Sequence, residues 1–282
     1  MPGNGNSVFK EDRKRNAMDD NVFRKQVNAS GFPFQLRVEH EIRASYDKHG
    51  WLPLAQEHRW VNTMSGTEGF IDLVLEKTIP PYLFWYMVIE CKRIRGGSWV
   101  FLNPRSPHQQ RYSAHALVTN RQHNKPVSTI WVKADFTPES PVSSFCTVPG
   151  QGDRDTPMLE RISGELLDSL ESLATKQLNI GPEVSQAFPE VKAIYVPVIV
   201  TNTELVICKF EPSEIDLSEG ILTGKSGEFQ SVPFIRFQKS FTTRYTTATV
   251  PMSLRETNKE NERTILVVHA PRLPDFLRQW GL

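Results

Sequence analysis

The stretch Tyr86-Met-Val-Ile-Glu-Cys-Lys-Arg93, YMVIECKR, decides how the rest of the chain is read. It is an apolar run with β-branched residues, the pattern of a buried strand. Yet a carboxylate and an ammonium stand two residues apart within it. Strand side chains alternate between faces, so Glu90 and Lys92 point one way while Ile89 and Cys91 point the other. A core strand that puts both charges on one face needs a reason.

Upstream, HRWVNT and GFIDLVLEK read as two strands separated by the turn-rich MSGTEG. Pro80 and Pro81 then break the chain before YLFWYMVIECKR. If that turn centres on Pro81, antiparallel pairing sets Asp72 opposite Glu90, with Cβ atoms about 5 Å apart on one face. Lys92 follows one pleat further along. Further upstream, Pro33 suits a helix start, and QLRVEHEIRASYDKH runs to Gly50, a natural stop. Val38, Ile42, Ser45, Tyr46 and His49 fall on one stripe of that helix. Glu39 and Glu41 flank the stripe.

Downstream, residues 96 to 157 are rich in Pro and Ser and read as an insertion or long excursion, with STIWVKADF its clearest strand. TPMLERISGELLDSLESLATKQL is the best helix in the chain, with Met158, Leu159, Ile162, Leu166, Leu170 and Leu173 on one apolar stripe. AIYVPVIVTN and ELVICKF follow as a strand pair, then SVPFIRFQKSF, RTILVVHA and a short terminal helix in PRLPDFLRQWGL. The order is that of a mixed α/β protein: a flexible lead-in over residues 1–29, then a single domain over 30–282.

Bulk composition narrows the field. The 282 residues are 39% hydrophobic and 23% charged, with a formal net charge of +1. That is a globular composition without a global field to steer the chain towards nucleic acid or an anionic membrane, so any nucleic-acid contact must be local. No apolar run approaches the ~18–20 residues of a membrane helix, and the N-terminus lacks a signal-peptide pattern. Cys91, Cys146 and Cys208 are odd in number and widely spaced, which argues against a disulfide framework or zinc site. The expected location is the cytoplasm. There is no phosphate-binding Gly-Lys-Ser/Thr loop and no Gly-x-Ser-x-Gly elbow, and His40 lacks zinc-protease spacing.

An isolated E-x-K triplet is ordinarily a cross-pleat ion pair, with an acid such as Asp72 bonded to a neighbouring strand or a helix N-terminus. Two facing carboxylates, however, destabilise a hairpin unless something neutralises them. A hard divalent cation does so, taking oxygen ligands from one or two carboxylates. It would also bring a phosphate oxygen and a bound water within reach of the Lys92 ammonium. Those are the parts needed to hydrolyse a phosphodiester.

The order helix with acid, strand with I-D, strand with E-C-K resembles the PD-(D/E)XK nuclease superfamily, most closely over Gly31 to Lys92 through GFPF, HGW, FIDLVLE and VIECKR. The resemblance implies an α/β, restriction-endonuclease-like core: a central mixed β-sheet flanked by helices, with an insertion (about 96–157) between the third core strand and the second core helix. It implies Asp72 and Glu90 as metal ligands for Mg²⁺, with Mn²⁺ as a substitute, and Lys92 as the catalytic lysine. The carbonyl of Cys91 would add a metal contact. The family's first-helix glutamate falls on Glu39 when measured from Gly50-Trp51, and on Gln35 when measured from GFPF; Glu41 is a third candidate, and Glu39 is favoured. Ile71 stands where the family has proline. The expected activity is a metal-dependent endonuclease acting on nucleic acid, with DNA favoured, as a homodimer or within a larger complex. The alternative is a catalytically silent nuclease-fold binding or scaffold module.

Other cations fit two roles each. Arg93 and Arg95 suit either phosphate contacts or a solvated strand end. His108 to Arg111 suit a cleft or a polar loop. FIRFQKSFTTRY, with Arg236, Lys239 and Arg244, suits a strand tracking a nucleic-acid backbone or an amphipathic edge strand.

Overall fold

Strand β1 (Leu52–Val61) pairs antiparallel with β2 (Glu68–Ile79), and β2 pairs antiparallel with β3 (Leu83–Lys92). The computed structural model describes residues 20–63, 66–80, 83–104, 112–122, 125–149, 157–179, 190–224, 226–245 and 260–280. Residues 20–29 are helical; the remainder of the lead-in, the turn residue Pro81 and the segment His108 to Arg111 lie outside the described residues.

Gly31, at φ 84°, precedes α1 (Phe32–Ala44), which carries Pro33 in its first turn. The helix breaks at Ser45 instead of running to Gly50, and a single turn, α2 (Tyr46–His49), follows. The break explains a departure from the expected stripe. Ser45 and His49 are buried against each other, Oγ to Nε2 at 3.1 Å, whereas Tyr46 is turned out to solvent. Gly50, at φ 72°, then ends the turn in the left-handed region that only glycine enters freely.

Five strands follow β3: β4 (Ser98–Pro104), β5 (Ser113–Gln122), β6 (Lys125–Asp135), β7 (Val142–Ser143) and β8 (Phe145–Thr147). Then come helix α3 (Met158–Asn179), β9 (Glu190–Thr201) and β10 (Glu204–Phe210). The two-residue strands β11 (Ile215–Asp216) and β12 (Ile221–Leu222) lead to β13 (Glu228–Val232), β14 (Phe234–Ser240), β15 (Glu262–His269) and helix α4 (Leu273–Arg278). The main sheet runs β1-β2-β3-β9-β15-β14-β7. β3 and β9 are parallel, with Glu90 beside Ile199, and α3 lies on the connection between them. The protein is therefore α/β, with a central mixed sheet flanked by helices.

The segment 96–157 is more than an excursion, because it completes this sheet. Its β5–β6 hairpin pairs antiparallel with the first half of β9, Leu117 to Gln122 against Tyr195 to Glu190. β15 takes the same edge further on, from Val198 to Thr201. Pro197 falls in the gap between these pairings, where its missing N–H breaks no ladder bond on that edge. Since both edges of β9 are occupied, β10 does not pair with it as the run AIYVPVIVTN–ELVICKF suggests. β10 instead joins a second sheet, β13-β10-β4-β8.

Alternation along the central strands sorts the core into two faces. Val74, Tyr86 and Val88 pack with Leu159, Ile162 and Leu166 of α3. Leu73, Met87 and Ile89 pack with Val38 and Ile42 of α1 and Phe276 of α4. Even-numbered residues of β3, and of β2 from Leu73 onward, thus face α3; Ile71 packs in the α3 cluster too, so the alternation slips at the start of β2. Asp72 and Glu90 lie on the α3 side, in a cleft lined by that helix, and Lys92 pairs with Glu90.

Candidate functional site

The β2–β3 register runs from Ile79 opposite Leu83 to Leu73 opposite Ile89. The ladder stops there, and Asp72 and Glu90 are the next residues of the two strands. Both line a cleft of about 430 Å³ below α3, which contributes Glu165, Asp168 and Ser169. Its other wall is the start of β2, where Gly69 lies against the indole of Trp60. A Cβ at Gly69 would meet Trp60 Nε1 at 3.0 Å, so a side chain there fits only if the ring gives by a few tenths of an ångström.

The carboxylate of Asp72 is oriented by β3. Its Oδ2 accepts the backbone N–H of Cys91 at 2.6 Å. Lys92 Nζ lies 3.5 Å from Glu90 Oε1, an ion pair long for a hydrogen bond, with both side chains partly covered. Both acids hold protons more tightly than usual. Burial pushes Glu90 up to about 7, helped by the charge of Asp72 and resisted by Lys92, with Glu165 adding a smaller push. Burial likewise raises Asp72, against the Cys91 N–H and the Lys92 charge and with the support of Glu57. Desolvated, mutually repelling carboxylates are a frequent mark of functional sites.

Glu57 extends the row of acids. Gln56 pairs with Leu73 and His58 with Ile71, which places Glu57 opposite Asp72 on the next strand. Its φ of 47° lies in the left-handed region, uncommon for a non-glycine residue and costing on the order of 1–3 kcal/mol. Gln35 of α1 holds this strained position: its Nε2 donates to Glu57 Oε1 at 2.7 Å and to the carbonyl of Asp72 at 3.0 Å.

Of the three helix positions weighed from the sequence, Gln35 is the one that touches the Asp72 strand. Gln35, Val38 and Ile42 form the buried face of α1. Glu39 borders that stripe, its side chain 16% exposed, and pairs with Arg43 at 2.7 Å, while Glu41 pairs with Arg37 at 2.5 Å. Neither is brought to Asp72 and Glu90 by a bond along the helix face. Arg236 is fully buried, donating to the carbonyls of Ser113 and Ser140, and Lys239 is bound to Glu160 at 2.5 Å. Neither can track a nucleic-acid backbone; Arg244, at the end of the same stretch, is exposed. Arg95 is exposed beyond β3, where Asn202 ties the chain by bonding both the N–H and the carbonyl of Ile94.

Glu57, Trp60, Gly69 and the α3 acids are site residues that the sequence reading passed over. The α3 acids carry a readable signal: Glu165, Asp168 and Ser169 border the apolar stripe on the side that meets the sheet. Glu57 has none, because its role depends on a backbone angle.

The donor set suits a hard cation. Asp72 and Glu90 supply carboxylate oxygens to one cleft, and their mutual repulsion is relieved by a positive charge. Among the described residues no three His, Cys, Asp or Glu side chains form a ready-made ligand group, so the shell would be completed by backbone carbonyls or water. Among those residues, too, no helix is long and apolar enough to cross a membrane. Comparison with protein-family models, curated proteins and solved structures gave no match.

Proposed function

We propose that the chain is a metal-dependent nuclease with a restriction-endonuclease-like core, hydrolysing phosphodiester bonds, with DNA the favoured substrate. One observation carries this reading: Asp72 and Glu90, from adjacent strands, line one cleft roofed by α3, and Lys92 is paired with Glu90 beside it. The order of elements supports it, an antiparallel β1-β2-β3 meander and then, after the inserted strands β4 to β8, a helix and a strand parallel to β3.

Asp72 and Glu90 would hold Mg²⁺, or Mn²⁺ in its place. The ion, when bound, supplies Lewis-acid polarisation of the phosphate and a lower pKa for a coordinated water. Asp72 is held in register by the Cys91 N–H, so its carboxylate is oriented before any substrate arrives. Lys92 favours the ionised form of Glu90 and donates to the attacking water or to the phosphate oxygens, where negative charge develops. Gln35 and Glu57 set the backbone on which Asp72 stands. Glu39 retains at most an indirect role, since its carboxylate is committed to Arg43.

The Lys92–Glu90 pair and the Asp72–Cys91 bond also satisfy these groups without metal, which is what a catalytically silent module would need. Thermal melts separate the two. An enzyme of this type gains stability with Mg²⁺ or Mn²⁺ by mass action, and Asp72→Asn abolishes that gain. A melting temperature indifferent to both ions rules out the metal site.

A further inference from the structure

A second cleft of about 440 Å³ opens beside the carboxylate cleft, and the two share Trp60 and Asp168. They are successive stations along α3: Glu165 and Asp168 border the first, Ser172 and Lys176 the second. From Glu165 to Lys176 the helix advances about 16 Å, a span of several phosphates. Charge is segregated along that path. The first station is acidic, whereas the second, though Asp168 and Glu171 also line it, presents Lys176 and Arg244, both exposed and free of ion pairs among the described residues, with the Arg244 guanidinium over the Tyr245 ring. Its other basic groups are spoken for: Arg59 is paired with Glu68 at 2.5 Å, and burial together with the Lys176 charge keeps His58 below its ordinary pKa.

Arg244 is placed there by construction. Glu171 is buried, and its carboxylate accepts the backbone N–H groups of Arg244 at 2.8 Å and Tyr245 at 3.3 Å, together with Trp131 Nε1 at 2.8 Å. Thr175 is bonded to the Tyr245 hydroxyl at 2.8 Å, and Ser172 Oγ donates to the Val61 carbonyl at 2.9 Å. These bonds clamp the 243–245 segment and the end of β1 to one side of α3 and leave the Arg244 guanidinium at the cleft.

We propose that the two clefts form one trough for a single nucleic-acid strand, with the scissile phosphate at Asp72 and Glu90 and the neighbouring phosphates against Lys176 and Arg244. The inference rests on the nuclease reading for its first station. Each cleft has the volume that encloses one small-molecule-sized unit, hence about one nucleotide. A double helix, whose major groove alone is about 12 Å wide, does not enter such a space. The substrate would therefore be single-stranded, or a duplex end or flap that feeds one strand into the trough.

The test is fluorescence anisotropy of a labelled single-stranded oligodeoxynucleotide and of its duplex, with the full chain, in EDTA and in Mg²⁺. The expected result is tighter binding of the single strand by about tenfold, with the doubly substituted Lys176→Glu, Arg244→Glu protein losing about tenfold and a salt slope shallower by about 1.4. Both residues are exposed, so melting temperatures should match, and Lys176→Arg with Arg244→Lys should restore binding. Equal or tighter binding of duplex, no binding of either form, or binding unchanged by the charge reversals overturns the trough. Strand binding that behaves as expected without any cleavage in Mg²⁺ leaves the trough standing and removes the nuclease reading. Cleavage that is indifferent to the charge reversals does the opposite.

Discussion

Cys91 donates its backbone N–H to the Asp72 carboxylate at 2.6 Å, and the donor lies between the two charged residues of its own strand. This one bond ties the acid of β2 to the Glu90–Lys92 pair of β3. It holds Asp72 on the α3 side of the sheet while the Cys91 side chain packs on the opposite side. The arrangement of the site thus follows from strand register more than from loop conformation.

Asp72→Asn preserves an acceptor for the Cys91 N–H and removes the charge. The metal-free protein should therefore change stability by less than about 1 kcal/mol. The same variant should show no rise in melting temperature on adding Mn²⁺, which differential scanning calorimetry in EDTA and in Mn²⁺ would read.

Glu90 gives the stability of the metal-free protein a pH dependence of defined sign. Its carboxyl is raised from 4.5 to about 7 by burial and by Asp72. Below pH 4.5 both folded and unfolded chains hold the proton. Between 4.5 and 7 the unfolded chain releases it first, so this group's contribution falls as pH rises, by about 3 kcal/mol in all. Denaturation in EDTA should show Glu90→Gln becoming more stable relative to wild type across that window. A constant difference between the two proteins would contradict the burial of an ionisable Glu90.

Gln35→Leu removes the donor shared by Glu57 and the Asp72 carbonyl. Stability should drop by about 1–3 kcal/mol, since both acceptors lose their partner in a partly covered position. Gln35→Glu should be more harmful in EDTA, because it faces Glu57 with a like charge, and part of that loss should return with Mg²⁺. Urea denaturation of the three proteins reads both effects.

Gly69→Ala probes the wall between β2 and Trp60. The new methyl would meet the indole 3.0 Å away, and the ring is buried. A loss of about 1–3 kcal/mol is expected, with a shift in Trp fluorescence as the ring gives way.

Much of the site was legible because it follows from period and register. The alternation in YMVIECKR and FIDLVLE puts Asp72, Glu90 and Lys92 on one face, and the pairing of Leu73 with Ile89 is the one expected for a turn at Pro81. The apolar stripe of TPMLERISGELLDSLESLATKQL likewise marks α3 and the face it buries. Tertiary context decided the rest. Spacing from Gly50 favours Glu39, but it is Gln35, buried on the same face of α1 as Val38 and Ile42, that bonds the Asp72 carbonyl, while Glu39 turns to Arg43. The strands of 96–157 are short or polar, as in SAHALVTNRQ, and become sheet because the first half of β9 offers them an edge. FIRFQKSF carries Arg236 inward for a similar reason: β14 is an inner strand whose Arg236 satisfies the carbonyls of Ser113 and Ser140, while the half-exposed Lys239 is taken up by Glu160.

The most direct measurement is cleavage of plasmid and single-stranded DNA by wild type beside Lys92→Ala, with Mg²⁺ or Mn²⁺ and with EDTA. The account predicts metal-dependent cleavage by wild type and a loss of about 10²-fold or more in the variant, the scale of removing one transition-state donor. Cleavage that survives Lys92→Ala, or a wild type that leaves every strand intact with either ion, would contradict it.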